Sequence, residues 1–184
     1  MTCIIGLEHG GTVYIGADSA AVAGGEIQAT LLPKVFQRGV FLIGYTTSFR
    51  MGQLLWQHLN VRAQHDEETD EAYIICGLVE AVRACLKDHG YAEVASNVET
   101  GGTFLVGHKN KLYRVSGDYG VIRCADGFDA VGCGEEYALG AMKALSLIGL
   151  DGPATSISQC LGIAEHFSTG VIGPWIVLEL ERPE

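Results

Sequence analysis

Positive charge is scarce in this chain. Its 184 residues carry 12 Lys and Arg against 22 Asp and Glu, a formal net charge of −10. Such a surface repels phosphate backbones and anionic lipid, so neither nucleic acid nor a membrane is expected as a partner. Charge of either sign is thin, at 18% charged against 48% hydrophobic residues. The charged share lies below the roughly 25% usual for soluble domains, which excludes disorder and suggests a partly buried outer surface. No apolar run approaches the roughly 18 residues of a membrane span. The first residues lack a basic stretch leading into a long apolar one, so no secretory signal is expected and the expected location is cytoplasmic. Proline is rare, at 4 residues, while glycine reaches 25. That balance fits tight turns between strands better than a flexible linker. Cysteines at 3, 76, 85, 124, 133 and 160 form no C-x-x-C pair and do not cluster with His. A disulfide framework, a zinc site and a cofactor are therefore not expected. No repeat or low-complexity segment divides the chain, and residues 1–184 read as one domain.

What is present is an ordered series of apolar segments. Residues 3–7 and 12–17 flank Glu8-His9-Gly10-Gly11 and predict a hairpin. Residues 20–30 are small and Gly-rich, a loop or twisted strands, and 39–45 predict a buried strand. Helical spacing runs over 48–64 and again over 67–88. Residues 103–107 and 111–115 predict a second hairpin, with short strands over 121–124 and 128–131. Helices are expected over 135–150 and 155–167, and a last strand over 175–180. Strands joined mostly by hairpins imply antiparallel sheets. Two sheets between two helical layers would bury every apolar face.

The sharpest chemical feature is Met1-Thr2-Cys3 leading straight into a strand. Removal of Met1 would leave a hydroxyl and a free α-amine on one residue. An α-amine has a pKa of about 7.7–8.0, so it can serve as a base near neutrality. A hydroxyl is a poor nucleophile until such a base takes its proton. Met1, if retained, blocks that amine. Asp18 follows the second apolar run and Lys34 follows Leu31-Leu32-Pro33. A Lys ammonium beside Thr2 favours a neutral amine and a developing alkoxide, and Asp18 can hold the Lys in place.

With these residues the chain resembles the proteasome β-subunits and bacterial HslV, a family of N-terminal nucleophile hydrolases. The resemblance runs through Thr2-Cys3-Ile4-Ile5-Gly6, Gly16-Ala17-Asp18, Lys34-Val35, Leu42-Ile43-Gly44, Thr103-Phe104-Leu105-Val106-Gly107, Leu112-Tyr113-Arg114-Val115, and Ala130-Val131-Gly132-Cys133-Gly134 with Tyr137-Ala138-Leu139-Gly140. It implies a four-layer αββα sandwich and a threonine peptidase that needs no cofactor. Thr2 would be nucleophile and base, with Asp18 and Lys34 tuning it. Gly44 would supply the oxyanion-hole N–H. Ala21, Leu32, Phe36, Leu42 and Thr46 would line the pocket for the residue before the scissile bond and select an apolar side chain there. Cys133 stands where the family has Ser. Near the end, Thr169 fits the Ser or Thr of a late motif whose Asp is replaced by His166. The resemblance further implies stacked homo-oligomeric rings, peptide or unfolded-protein substrates, and an AAA+ unfoldase partner. Two alternatives stay open: an inactive, ring-forming relative, and an amidase acting on a small amide.

Other groups weigh less. Cys3 reads as a buried strand residue, His9 as a solvated turn residue, and the acidic run 66–71 as a helix start, where the helix dipole favours carboxylates. Trp56 and Trp175 read as core or interface residues.

Overall fold

The structure is a computed structural model that describes residues 1–95 and 98–181. The expected first hairpin forms: β1 (Cys3–His9) and β2 (Thr12–Ala17) pair antiparallel, with Ile4 opposite Ala17. Gly10 and Gly11 make its turn at φ +61° and +82°, a region glycine enters without steric cost. The Gly-rich segment that follows is a small hairpin of β3 (Ala20–Ala23) and β4 (Glu26–Ala29). Then come β5 (Val35–Arg38), β6 (Phe41–Tyr45) and helix α1 (Phe49–His58). A short α2 (Asp70–Ala72) widens into a π-helical turn over Tyr73–Leu78 and continues as α3 (Val79–Asp88). The chain goes on through β7 (Glu93–Ala95), β8 (Val98–Thr100), β9 (Phe104–His108), β10 (Lys111–Val115), β11 (Val121–Ile122) and β12 (Phe128–Gly132). Helices α4 (Glu135–Ile148) and α5 (Pro153–Phe167) and strand β13 (Ile176–Glu179) complete it.

Two main sheets result, one in the order β12-β1-β2-β13 and the other β11-β10-β9-β6-β5. The period-two alternation of each strand divides the core. In β1, Cys3, Ile5 and Leu7 join a buried cluster with Met142, Ile157 and Leu161 of α4 and α5. Ile4, between them, faces the other way, into a cluster with Ile15, Leu42, Leu105 and Leu112. In β6, Phe41, Ile43 and Tyr45 pack with Leu54 and Leu55 of α1 and Val82 and Leu86 of α3. Helices thus pack against residues of each sheet, and a third cluster gathers residues of both sheets. No helix among the described residues is long and apolar enough to cross a membrane.

Several boundaries differ from expectation for visible reasons. The helix expected over 48–64 stops at His58, after the apolar positions Met51, Leu54 and Leu55. Beyond Leu59 the chain turns polar, and Arg62 folds back onto the Glu68 carboxylate at 2.7 Å and 2.5 Å. The next helix starts at Asp70 because Thr69 caps it, its hydroxyl accepting from Ala72 N at 3.2 Å. The acidic run is tied into ion pairs: Glu68 with Arg62, Asp70 with Lys109 and Lys111, and Glu71 with Lys111. Among the described residues no group of His, Cys, Asp or Glu is arranged to hold a metal.

Candidate active site

The fold brings the three expected residues together. Thr2 immediately precedes β1, Asp18 immediately follows β2, and Lys34 immediately precedes β5. The antiparallel register fixes the first two, since Asp18 N donates to Cys3 O at 3.2 Å. Asp18 Oδ1 accepts from Cys3 N at 2.9 Å and from Lys34 Nζ at 2.9 Å. Its Oδ2 accepts from Ala20 N at 2.8 Å and from Lys34 Nζ at 3.1 Å. Lys34 Nζ also donates to Thr2 Oγ1 at 3.0 Å. Lys34 and Asp18 are each 1% exposed. A charge taken that far from water is tolerated only when paired and hydrogen-bonded, and here both are. Burial pulls the Lys34 ammonium below its ordinary pKa, and the Asp18 carboxylate opposes that pull.

An ammonium has three donors, and these contacts engage all of them: two on Asp18 and one on Thr2. Lys34 therefore points a positive donor at the oxygen on which alkoxide charge would develop. The Thr2 hydroxyl in turn donates to Met1 O at 2.5 Å. While Met1 is attached, Thr2 N is an amide with a delocalised lone pair, not a base. That N–H donates to Cys133 Sγ at 3.3 Å, and Ser168 Oγ donates to the same sulfur at 3.4 Å. Gly132, at φ +106°, runs so close to Thr2 that any Cβ would collide with the Thr2 carbonyl. The Gly-Cys-Gly string is thus a backbone approach with a thiol at its tip.

Cys133 joins Thr2, Asp18 and Lys34, but other expected residues do not. Gly44 lies inside β6, paired with Val35 on one side and Leu105 on the other. A Cβ there would lie 2.6 Å from Ile4 Cγ2 and 2.7 Å from Ile15 Cγ2. Gly44 is glycine because the sheets touch at that point, and it does not border the cavity at Thr2. His166 is exposed on the last turn of α5, edge-on to the Phe167 ring. Thr169 is exposed as well. The helix ends at Phe167, and Ser168 is extended at φ −120° and ψ 120°, which turns Ser168 rather than Thr169 toward Cys133. Of the five pocket residues only Thr46 borders the cavity at Thr2. Phe36 packs against Trp56 on the helix side of its sheet, Leu42 lies between the sheets, Leu32 is 49% exposed, and Ala21 sits in β3, paired with Gln28.

The cavity at Thr2 is about 90 Å³, bordered by Met1, Thr2, Val22, Lys34, Tyr45, Thr46, Thr47, Ser48 and Phe49. Sequence reading missed most of this wall. Thr47 has φ +71°, uncommon for a β-branched residue. Thr46 N donates to Thr103 O and Ser48 N to Thr46 O. Of these three turn amides, that of Thr47 has no acceptor among the described residues. A larger cavity of about 630 Å³ opens around Tyr73 and His108 and contains none of the Thr2 group.

No family model and no curated protein matches this chain. Solved structures do. BPH from Thiobacillus denitrificans, in complex with epoxomicin, aligns with a TM-score of 0.78 at 24% identity, over 98% of this chain and 100% of that one. Eukaryotic HslV from Trypanosoma brucei aligns at TM-score 0.68 and 22% identity, over 98% and 99%. The chain has the HslV-like, proteasome β-type fold. Anbu, the ancestral beta-subunit, from Yersinia bercovieri is more distant, at TM-score 0.66 and 15% identity over 97% of this chain and 81% of that one. The resemblance read from scattered short strings thus agrees with an HslV-like fold over nearly the whole length.

Proposed function

We propose that this chain is a threonine peptidase of the proteasome and HslV type, active once Met1 is removed. The observation that carries the reading is the 3.0 Å contact from Lys34 Nζ to Thr2 Oγ1, made by a lysine that is itself buried on Asp18. In the proposed reaction the freed α-amine of Thr2 takes the hydroxyl proton as Oγ attacks the substrate carbonyl carbon. Lys34 stabilises the oxygen as it loses that proton. Negative charge moves to the carbonyl oxygen, and the Thr47 N–H replaces Gly44 as the proposed donor to it. Collapse breaks the C–N bond, the α-ammonium returns its proton to the leaving amine, and an ester on Thr2 remains. Water, deprotonated by the same amine, cleaves the ester and restores Thr2. Cys133 and Ser168 are proposed to position the amine. The buried clusters support a four-layer αββα sandwich forming one domain. Stacked rings, an AAA+ unfoldase partner and a cytoplasmic location are part of the same proposal.

The test is to trap the ester. Met1-free protein is mixed with an activated peptide ester, quenched in acid and weighed. The proposal expects an acyl mass on the peptide containing Thr2, absent from Thr2→Ala. An adduct elsewhere, or none, overturns it. The second reading is an inactive, ring-forming relative, in which Thr2 N stays an amide and the Thr2 hydroxyl stays bonded to the Met1 carbonyl. That reading requires Met1 to remain on protein from the native host.

A further inference from the structure

We propose that Phe49 is a positioning residue for this site: the face of its ring keeps the Lys34 ammonium charged and aimed at Thr2 without claiming any of its hydrogens. The effect on catalysis rests on the peptidase reading above, while the contact itself does not. Lys34 Nζ lies over the Phe49 ring, 5.7 Å from its centroid. A cation within about 6 Å of a ring is drawn to the negative face of the π-system, more strongly where water is excluded. Lys34 is 1% exposed, so the attraction acts there with little screening. The three N–H donors of the ammonium are engaged by Asp18 Oδ1, Asp18 Oδ2 and Thr2 Oγ1. A further oxygen acceptor would compete with Thr2 for one of them. A ring face takes none, so it can hold the charge and leave the Thr2 contact intact.

The ring is held in turn. Phe49 opens α1, and Ser48 caps that helix, its hydroxyl accepting from Arg50 N at 3.1 Å and Met51 N at 3.4 Å. Tyr45 stands at 80° to the ring with centroids 6.4 Å apart, an edge-to-face pair. Segment 47–49 then serves both oxygens of the proposed reaction: the Thr47 N–H faces the carbonyl oxygen, and the Phe49 ring acts through Lys34 on Thr2 Oγ. The other titratable groups that act on Lys34 are Asp18 after β2, Cys3 on β1 and Cys133 before α4. Burial, and then the Asp18 charge, raise the Cys3 thiol far above its ordinary range. Burial pushes the Tyr45 hydroxyl on β6 up to about 12. Both stay neutral over the range below the ordinary lysine value, where Lys34 loses its proton.

The contact is tested with Met1 still attached. Lys87→Arg, Lys109→Arg, Lys111→Arg and Lys143→Arg together leave Lys34 as the one lysine of the chain. Its Cε is labelled with carbon-13 and titrated by NMR. The phenylalanine at 49 is then replaced by its mono-, tri- and pentafluoro forms, which keep the shape of the ring and drain its negative face. The Lys34 pKa is expected to fall stepwise with fluorine, by about half to one and a half units in all. A pKa that fluorine leaves unmoved, or raises, would reduce the ring to a barrier against water and overturn the proposal. The role is tested on Met1-free protein with a series of fluorogenic peptides that differ only in Ala, Leu or Phe before the cleaved bond. Phe49→Leu is expected to move the alkaline limb of the kcat profile to lower pH, equally for all three peptides and equally in a Cys133→Ser chain. Phe49→Tyr is expected to bring that limb back. A change in KM alone, or one that differs from peptide to peptide, makes Phe49 a wall of the pocket and overturns the positioning role while the peptidase reading stands. Hydrolysis of no peptide removes the peptidase reading, and the catalytic role of the ring with it, whatever the titration shows.

Discussion

Replacing Asp18 by Asn keeps its shape and removes its charge. The carboxylate accepts four hydrogen bonds, from Cys3 N, Ala20 N and twice from Lys34 Nζ. Whichever way the amide of Asn is turned, its NH₂ meets a backbone donor and the ammonium. At least one buried N–H is orphaned, a cost of about 1–3 kcal/mol. Lys34 is left charged and buried without its counter-ion, and breaking such a pair from one side costs about 3–5 kcal/mol in all. The pH dependence has a definite sign. Burial already lowers the Lys34 pKa against the opposition of Asp18. In the variant that opposition is gone, and the pKa falls further. Between the folded and unfolded values the unfolded chain binds more protons, so stability rises with pH there. The deficit of Asp18→Asn therefore narrows as pH rises through the window between the variant's further-lowered Lys34 pKa and that of the unaltered chain, above which both chains gain alike. Urea unfolding followed by circular dichroism, at one protein concentration, checks this at neutral and at alkaline pH. The expected deficit is about 3–5 kcal/mol at neutral pH, smaller by about 1.4 kcal/mol for each unit the pH rises within that window. A deficit below about 1 kcal/mol, the scale of an exposed pair, with no change on raising the pH, would refute a desolvated pair.

Three further outcomes are expected. Thr47→Pro removes the Thr47 N–H and forbids positive φ, so peptide hydrolysis should fall at least about a hundredfold, as for loss of an oxyanion donor; Thr47→Gly keeps both features and should keep kcat within a few-fold, and equal losses in the two variants would refute the proposed oxyanion role of Thr47. Gly44→Ala drives a methyl against Ile4 and Ile15, which should lower stability by about 1–3 kcal/mol with near-normal kcat per folded molecule; a stable protein with collapsed kcat would contradict the placement. Cys133→Ser should match or exceed the unaltered rate, since a hydroxyl is the stronger partner. Cys133→Val should lower it about fivefold, one hydrogen bond's worth, and should shift the pH–rate profile, whereas a mere packing role would leave that profile unmoved.

The order of elements was legible because periodicity reports which faces are buried. Cys3, Ile5 and Leu7 alternate with Ile4, and Met51, Leu54 and Leu55 recur at helical spacing. The meeting of Thr2, Asp18 and Lys34 was legible because each abuts an apolar strand, and the ends of paired strands bring side chains together. The inter-sheet contact at Gly44 was not legible because a glycine before a helix looks alike whether it feeds a ligand or lets two sheets touch. Only the side chains of Ile4 and Ile15, distant in sequence, separate the two cases. Thr47 went unseen because a threonine gives no local sign of positive φ. Ser168 lost its place to Thr169 because the phase after α5 depends on where that helix stops.

The central claim is that Thr2 does chemistry only when its amine is free. The most direct test compares two preparations of the same chain, one retaining Met1 and one with Met1 enzymatically removed, each verified by intact mass. Both are given an Ala-terminated fluorogenic peptide, with Met1-free Thr2→Ala-type chain as the blank. The account predicts hydrolysis by the Met1-free protein alone. Equal hydrolysis by both preparations, or none by the Met1-free protein on any peptide of the series, would contradict it.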